Sequence, residues 1–165
     1  MSIDLRRTII IGNAGSGKSW LAARLAARLS TAWVDLDLIH WMPGGFNVAR
    51  DRTEALQQVQ DLASGEAWVI EGIYGWLVDV ALASATALIW LDLSEDECVT
   101  NIRQRGVRRG GTDAGLAALV QWAESYGTRR GSSSRAAHAT IVAHFPRETR
   151  ILRTGAELAQ FVASV

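Results

Sequence analysis

Eight consecutive residues carry the most specific chemical pattern in this sequence, Gly12-Asn13-Ala14-Gly15-Ser16-Gly17-Lys18-Ser19. They match G-x-x-x-x-G-K-[ST] at every fixed position, after an apolar run at 8–11 and before an alanine- and leucine-rich run at 20–29. Glycines let backbone N–H groups turn inward toward phosphate oxygens, and a helix start adds unsatisfied N–H groups. Lys18 can reach the β- and γ-phosphates of ATP, and the Ser19 hydroxyl can bind Mg²⁺. The stretch predicts a nucleotide phosphate loop; a glycine-rich turn between strand and helix is the alternative.

Acidic side chains follow three further apolar runs, at the points where the predicted strands end. They are Asp35 with Asp37, Glu71, and Asp92. We expect Glu71 to be the acid on the Mg²⁺ side, with Asp35 second, and Asp37 to contact the phosphoryl acceptor. Asp92 is expected near the start of the next helix or the edge of the nucleotide. Ordinary capping is the alternative for each: Glu71 for the following turn, Asp37 for a short turn through His40, and Asp92 for the next helix.

Arginines cluster around a glycine-rich stretch at 106–111. The set before and within this stretch is Arg103, Arg105, Arg108 and Arg109, and a second pair is Arg129 and Arg130. Arginines that close over a transferring phosphoryl group stabilise its charge. The first set therefore predicts a flexible basic lid in which Arg108 or Arg109 contacts phosphate, and Arg129 or Arg130 is expected to reach substrate from the far side. A solvated helix end is the alternative for any one of them.

Aromatic and histidine residues fall in the segments expected around the acceptor. His40 is a candidate for lining the acceptor pocket, and Trp41 with Trp76 forms either an aromatic wall or part of the core. His138 and His144 are expected on helix surfaces. The three histidines do not have the spacing of a zinc site.

Short apolar runs alternate with segments of helical spacing along the chain, which predicts βαβ units and a parallel sheet. The predicted strands are 8–11, 32–34, 67–70, 87–91 and 149–152. The predicted helices are 18–30, 51–63, 76–84, 94–105, 113–126, 135–144 and 156–162. In such sheets ligands gather at the carboxyl ends of the strands, where the acidic residues lie.

Size and composition indicate one α/β domain over residues 1–165. Lys+Arg and Asp+Glu are both 17, so binding to nucleic acid in bulk or to anionic membranes is not expected. Lys18 is the only lysine, which excludes the Asn-Lys-x-Asp motif of GTPases. The lone Cys98 excludes an internal disulfide, and no long apolar segment suggests a membrane span, so a cytoplasmic protein is expected. The oligomeric state is left open.

By these motifs the chain resembles the nucleoside-monophosphate-kinase-like group of P-loop kinases over nearly its whole length. More narrowly, it resembles small bacterial P-loop proteins described as adenylate-kinase-like or as "DNA topology modulation" proteins. The phosphate loop carries this resemblance together with Asp37, Trp41 and Pro43, the run Trp68-Val69-Ile70-Glu71-Gly72 with Tyr74, and Ile89-Trp90-Leu91-Asp92. The resemblance implies a three-layer fold with a five-stranded parallel sheet of order 2-3-1-4-5. It also implies helices on both faces, a substrate-side insertion (39–66) and an arginine-bearing lid (106–130).

The same resemblance implies roles for further residues. Arg103 resembles the arginine that stacks on adenine, and Tyr74 is expected to contact substrate. Trp20 replaces a common threonine and is expected beside the nucleotide or the sheet. The adenylate-kinase signature Asp-Gly-Phe-Pro-Arg is absent, which argues against AMP as acceptor, whereas Asp35-Leu36-Asp37 resembles the Asp-x-Asp of shikimate-kinase-like enzymes.

The expected function is ATP- and Mg²⁺-dependent phosphoryl transfer to a small nucleotide or a hydroxyl-bearing metabolite. The alternative is a nucleotide-dependent regulatory P-loop ATPase that interacts with nucleic acid.

Overall fold

The fold is built on a single parallel sheet, seen in a computed structural model that describes residues 3–165. Its strands are β1 (Arg7–Gly12), β2 (Trp33–Asp35), β3 (Trp68–Gly72), β4 (Ala87–Leu91) and β5 (Glu148–Leu152). Their order is β2-β3-β1-β4-β5, and every pair is parallel. The predicted sheet and its order are confirmed. The order places the strand that leads into the phosphate loop at the centre.

Eight helices connect and flank these strands. They are α1 (Lys18–Leu29), α2 (Asp37–His40), α3 (Arg52–Ala63), α4 (Gly75–Leu82), α5 (Glu95–Arg105), α6 (Asp113–Glu124), α7 (Arg135–His144) and α8 (Gly155–Ser164). Five of them begin after a side chain that accepts a hydrogen bond from the backbone N–H three positions later. Those N-cap residues are Asp51, Ser94, Thr112, Ser134 and Thr154. Local capping therefore defines where most helices begin.

The helices cover both faces of the sheet because successive residues of β1 point in opposite directions. Ile9 and Ile11 lie in one core cluster, with residues of α3, α4 and α7. Ile10 lies in the other, with residues of α1, α5 and α8. All three isoleucines are fully buried, as the run of apolar residues without alternation predicts.

Two local features differ from the sequence-based expectation. The segment after β2 forms the additional helix α2, and the capping of α5 uses only half of a capping box. The Ser94 side chain accepts from Glu97 N, but the Glu97 carboxylate accepts from Gly155 N (3.0 Å) rather than returning to Ser94. Glu97 thus ties the start of α5 to the start of α8. Between residues 3 and 165, no helix has both the length and the apolar character needed to cross a bilayer.

Candidate active site

The phosphate loop is held in its curled form by glycines and by the element that packs behind it. Gly15 and Gly17 have φ of +78° and +96°, values that favour glycine. A Cβ on Gly15 would lie only 2.3 Å from the Cys98 carbonyl oxygen of α5. The amide of Asn101, also on α5, donates to the Gly15 carbonyl (2.9 Å). Helix α5 therefore presses directly on the loop.

Asn13 anchors the loop from the other side. This fully buried side chain donates to the Ala123 carbonyl at the end of α6 (2.9 Å) and accepts from Ala14 N (2.8 Å). Asn13 occupies one of the variable positions of the motif, so the pattern alone gives no reason to expect this contact. It couples the loop to α6, which lies within the predicted lid region 106–130.

A cleft of about 370 Å³ opens beside the loop. Besides loop residues 15–19 it is lined by Trp20, Leu93, Glu97, Asn101, Arg105, Arg108, Gly155 and Leu158. Within the described residues, the buried Ser16 hydroxyl has no hydrogen-bond partner, and the Lys18 ammonium donates to the Asn13 carbonyl (2.8 Å). Trp20 is 41% exposed and carries the Arg24 guanidinium over its ring at 3.7 Å. The cleft therefore offers hydroxyl, ammonium and guanidinium donors at one end of the loop.

Glu71 meets Ser19 where β3 ends beside β1. The Ser19 hydroxyl donates to the Glu71 carboxylate over 2.6 Å, and Glu71 is almost fully buried. Burial raises the pKa of Glu71 to about 7; Lys18 opposes this shift, and Asp35 adds to it. Glu71 is thus engaged with the loop, and the structure shows no capping bond from its side chain. A buried carboxylate with a raised pKa in a cleft is a candidate for function.

Asp35 and Asp37 lie beside Glu71 and contact Arg109, which lies in the loop between α5 and α6. Asp35 is paired with Glu71 in the β2–β3 register, and its carboxylate accepts from Asp37 N (2.9 Å) and from the Arg109 guanidinium. A second Arg109 nitrogen lies 3.9 Å from the Asp37 carboxylate. Asp35, rather than Asp37, therefore makes the capping-type bond of α2.

Burial raises the pKa of Asp37, and the charge of Asp35 adds to this shift, while Lys18, Tyr74 and Arg109 oppose it. The Asp37 side chain is 36% exposed. It is the more accessible of the two aspartates, and it remains a candidate for contact with an acceptor.

An aromatic group stands next to Asp37. The Trp41 indole donates to the Tyr74 hydroxyl (2.9 Å), His40 stacks on the Tyr74 ring with centroids 4.2 Å apart, and Trp76 meets His40 edge-on at 5.9 Å. Burial raises the pKa of Tyr74, and Asp37 adds to this shift. Burial also lowers the pKa of His40. Both groups are therefore neutral at pH 7. We call these four residues the aromatic wall.

The arginines divide into those that face the cleft and those that do not. Arg105 and Arg108 line it, and burial lowers the pKa of Arg105 with Arg108 adding to the shift. Arg103 is exposed on α5 and is not among the lining residues. Arg129 donates to the Ser133 carbonyl (2.9 Å) and stacks on Trp122 at 3.7 Å, and burial lowers its pKa to about 10. Arg130 is exposed. The roles expected for Arg103, Arg129 and Arg130 stay predictions.

Two residues proved to have structural partners that the sequence did not indicate. The Asp92 carboxylate binds Arg135 at the start of α7 in a bidentate pair (2.8 and 2.7 Å). His138, expected on a surface, is instead fully buried: its Nδ1 accepts from the Tyr126 hydroxyl (2.7 Å) and its Nε2 donates to the Ile73 carbonyl (2.9 Å). The expectation for His138 was wrong because its partners are distant in sequence. Burial lowers the pKa of His138 to about 4, so it is neutral at pH 7.

Comparisons with known proteins bear on the fold. Neither a protein-family model nor a curated protein matches the sequence. A solved shikimate kinase from Bacteroides thetaiotaomicron is similar, at 17% identity over 96% of this chain and 94% of that one, with a TM-score of 0.56. A gluconokinase from Sinorhizobium meliloti 1021 is 18% identical over 97% of this chain and 95% of that one, with a TM-score of 0.55. A shikimate kinase from Acinetobacter baumannii in complex with shikimate is 14% identical over 98% of this chain and 91% of that one, with a TM-score of 0.53. At these identities the likeness shows the fold alone: this chain has the α/β fold of the P-loop nucleoside-monophosphate-kinase-like proteins.

Proposed function

We propose that this protein is a kinase that transfers the γ-phosphoryl group of ATP to a hydroxyl group of a small molecule, with Mg²⁺ as cofactor. The observation that carries the proposal is the hydrogen bond between Ser19 and Glu71 beside Lys18, with Asp35 and Asp37 at the neighbouring strand end. This arrangement brings phosphate-binding and metal-binding groups together with a candidate contact for the acceptor. The solved kinases of the same fold support it.

The residues of the loop fit a nucleoside triphosphate. The buried Ser16 hydroxyl, without a partner in the described part of the chain, is ready to donate to a phosphate oxygen. The left-handed glycines leave room for phosphate close to the backbone. The Lys18 ammonium can exchange the Asn13 carbonyl for phosphate oxygens. ATP would therefore lie in the 370 Å³ cleft, with Arg105 and Arg108 near its phosphates.

The residues around Ser19 also fit Mg²⁺. This cation prefers oxygen ligands, keeps several waters and is often held by one or two carboxylates together with substrate phosphates. Ser19 and Glu71 would hold it directly or through water, with Asp35 as the second acid. Mg²⁺ would neutralise charge on the phosphates during transfer. Its charge would also favour the ionised form of Glu71.

The transfer joins the acceptor oxygen to the γ-phosphorus and breaks the bond from that phosphorus to the bridging oxygen, so that ADP leaves. We assign Asp37 to orient the acceptor hydroxyl and accept its proton. Arg109, which reaches both aspartates, is placed to stabilise the charge of the group in transit. A cytoplasmic location is part of the proposal because the reaction consumes ATP.

A coupled assay of ADP release tests the proposal, with ATP, Mg²⁺ and a panel of nucleosides, nucleotides and hydroxylated metabolites. We expect at least one acceptor to raise the rate, and Lys18→Ala to abolish that rise. Arg28→Ala is the matched control because it removes an exposed cation at the far end of α1. Unchanged transfer in Lys18→Ala would refute the mechanism. Salt-sensitive DNA binding without acceptor-stimulated turnover would favour the regulatory alternative.

A further inference from the structure

We infer that the acceptor of this kinase is an uncharged or cationic hydroxyl compound with a flat apolar face, and not a carboxylate or a phosphate monoester. The inference rests on the proposed function and deepens it by naming the class of acceptor. It follows from what stands around Asp37 and from where the arginines of the chain are bound.

The topology separates the two substrate sides. Because β1 is central, the cleft beside the loop lies toward β4 and β5, where α5 and the start of α8 supply Glu97, Gly155 and Leu158. Asp37 and the aromatic wall lie toward β2 and β3, on the other side of the loop. If ATP, the phosphoryl donor, occupies the cleft, the space beside Asp37 and the aromatic wall is available to the acceptor.

The aromatic wall is uncharged, and two of its polar groups are hydrogen-bonded to each other. The Trp41 indole N–H is donated to the Tyr74 hydroxyl, and burial keeps His40 neutral at pH 7 by lowering its pKa. Rings of this kind favour contact with the apolar face of a sugar, a nucleobase or another ring. They supply no positive charge to an anionic acceptor.

Two of the three arginines near the wall are occupied by protein oxygens. Arg50 donates to the carbonyl of Ile39 (2.9 Å) and to Glu54 (2.7 Å). Arg109 is bound to Asp35. Along the described part of the chain, Arg52 is the one arginine beside the wall whose guanidinium has no oxygen partner. It is exposed and lies over the Trp76 ring at 4.3 Å.

Three other cations face the donor. Lys18, Arg105 and Arg108 line the cleft, where the phosphates of ATP would engage them. On the acceptor side, Arg109 is the one arginine within 4 Å of Asp35 or Asp37 in the described part of the chain, and it is bound to Asp35. Arg52 lies over the Trp76 ring and, within the described residues, makes no ion pair with either aspartate. A negatively charged acceptor would therefore meet the Asp37 carboxylate with no unoccupied cation paired to that carboxylate, whereas a neutral or cationic acceptor would not be repelled by it.

Sets of acceptors that share a skeleton and differ in charge test this inference. Glucose, glucosamine and glucuronate form one set, and adenosine with AMP forms another; cyclohexane polyols and hydroxylated cyclohexane carboxylates form a third. The readout is kcat/KM from ADP release with ATP and Mg²⁺. We expect the best acceptor to be neutral or cationic, with an advantage of more than about tenfold over its anionic counterpart.

One variant and two controls report on the reason for the preference. Asp37→Asn should narrow the ratio of cationic to anionic kcat/KM within a set, whatever its effect on the absolute rate. Asp61→Asn, which removes an exposed carboxylate of α3, should leave that ratio unchanged. Arg52→Gln should leave it unchanged as well.

The outcomes separate the two proposals. If the best acceptor is an anionic compound, the inference is overturned and the kinase proposal stands. This holds whether or not Arg52→Gln loses turnover. ATP turnover that no acceptor raises, and that Lys18→Ala does not change, would overturn the proposed function and the inference with it. A neutral or cationic best acceptor whose advantage is unaffected by Asp37→Asn would refute the electrostatic origin of the preference.

Discussion

Gly15→Ala is expected to destabilise the protein and to weaken nucleotide binding, because α5 leaves no room for a side chain on the loop. The residue has φ +78°, a conformation that disfavours alanine by about 1–2 kcal/mol. The added Cβ would also approach the Cys98 carbonyl oxygen to 2.3 Å and Ile102 Cγ1 to 2.8 Å. Because one of these contacts is backbone, relief requires α5 or the loop to move, which costs about 1–3 kcal/mol more.

Gly131→Ala is the matched control because Gly131 has φ +95° but no neighbour within 4 Å of its added Cβ. We expect Gly131→Ala to lose only the conformational contribution to the free energy of unfolding, about 1–2 kcal/mol. Urea unfolding measures both free energies, and titration with ATP measures binding. Gly15→Ala should lose about 2–5 kcal/mol and weaken ATP binding, whereas Gly131→Ala should keep its affinity. Equal losses in the two variants would refute the claim that α5 fixes the shape of the loop.

Three further predictions concern the charged groups of the site. The Glu71 pKa of about 7 lies above the ordinary 4.5, so the stability that the neutral form supplies is complete below pH 4.5 and is lost as the pH rises through 7. Without ligands, Glu71→Gln should match the wild type in acid and exceed it by about 1–3 kcal/mol at pH 8 in urea unfolding; a pH-independent difference would contradict the raised pKa. Arg109→Ala should reduce kcat about 10²–10³-fold with little change in ATP affinity, whereas Arg108→Ala should mainly weaken ATP binding. The reverse pattern would mean that Arg108 acts on the transferring group and Arg109 binds ATP. Lys18 is the only lysine, so its labelling by an amine-directed reagent can be followed by mass spectrometry, with the α-amino group as the internal reference. ATP should protect Lys18 from the reagent. If ATP does not reduce the labelling, ATP binds elsewhere.

The sequence was sufficient for the sheet and for the acids that meet the loop. The apolar runs at 8–11 and 87–91 had few alternatives to buried strands, and parallel strands bring their carboxyl ends to one edge. The G-x-x-x-x-G-K-[ST] pattern is local, so its placement at the start of α1 could be expected. The neighbourhood of Glu71, Asp35 and the loop follows from this topology.

Contacts between distant side chains could not be predicted in the same way. Arg109 reaches Asp35 across 74 positions because the loop between α5 and α6 approaches the end of β2, which no local pattern encodes. Arg129, expected near substrate, folds back onto Trp122. His138 is buried because the Tyr126 hydroxyl and the Ile73 carbonyl satisfy both of its ring nitrogens. A tryptophan in a buried strand, Trp90, was the one available signal: its indole N–H needs an acceptor, which proves to be Tyr126 (3.0 Å).

The position of the loop strand at the centre of the sheet has a consequence for synthesis. The phosphate loop is synthesised before the residues that hold it, because Thr86 binds Arg7 across 79 positions and Ala123 binds Asn13 across 110. Its neighbouring strands and the helices that press on it are thus synthesised much later. Contacts of such long sequence separation slow folding. The nascent chain therefore carries its apolar β1 without partner strands until β3 and β4 emerge, and the contact of Asn13 with α6 forms later still.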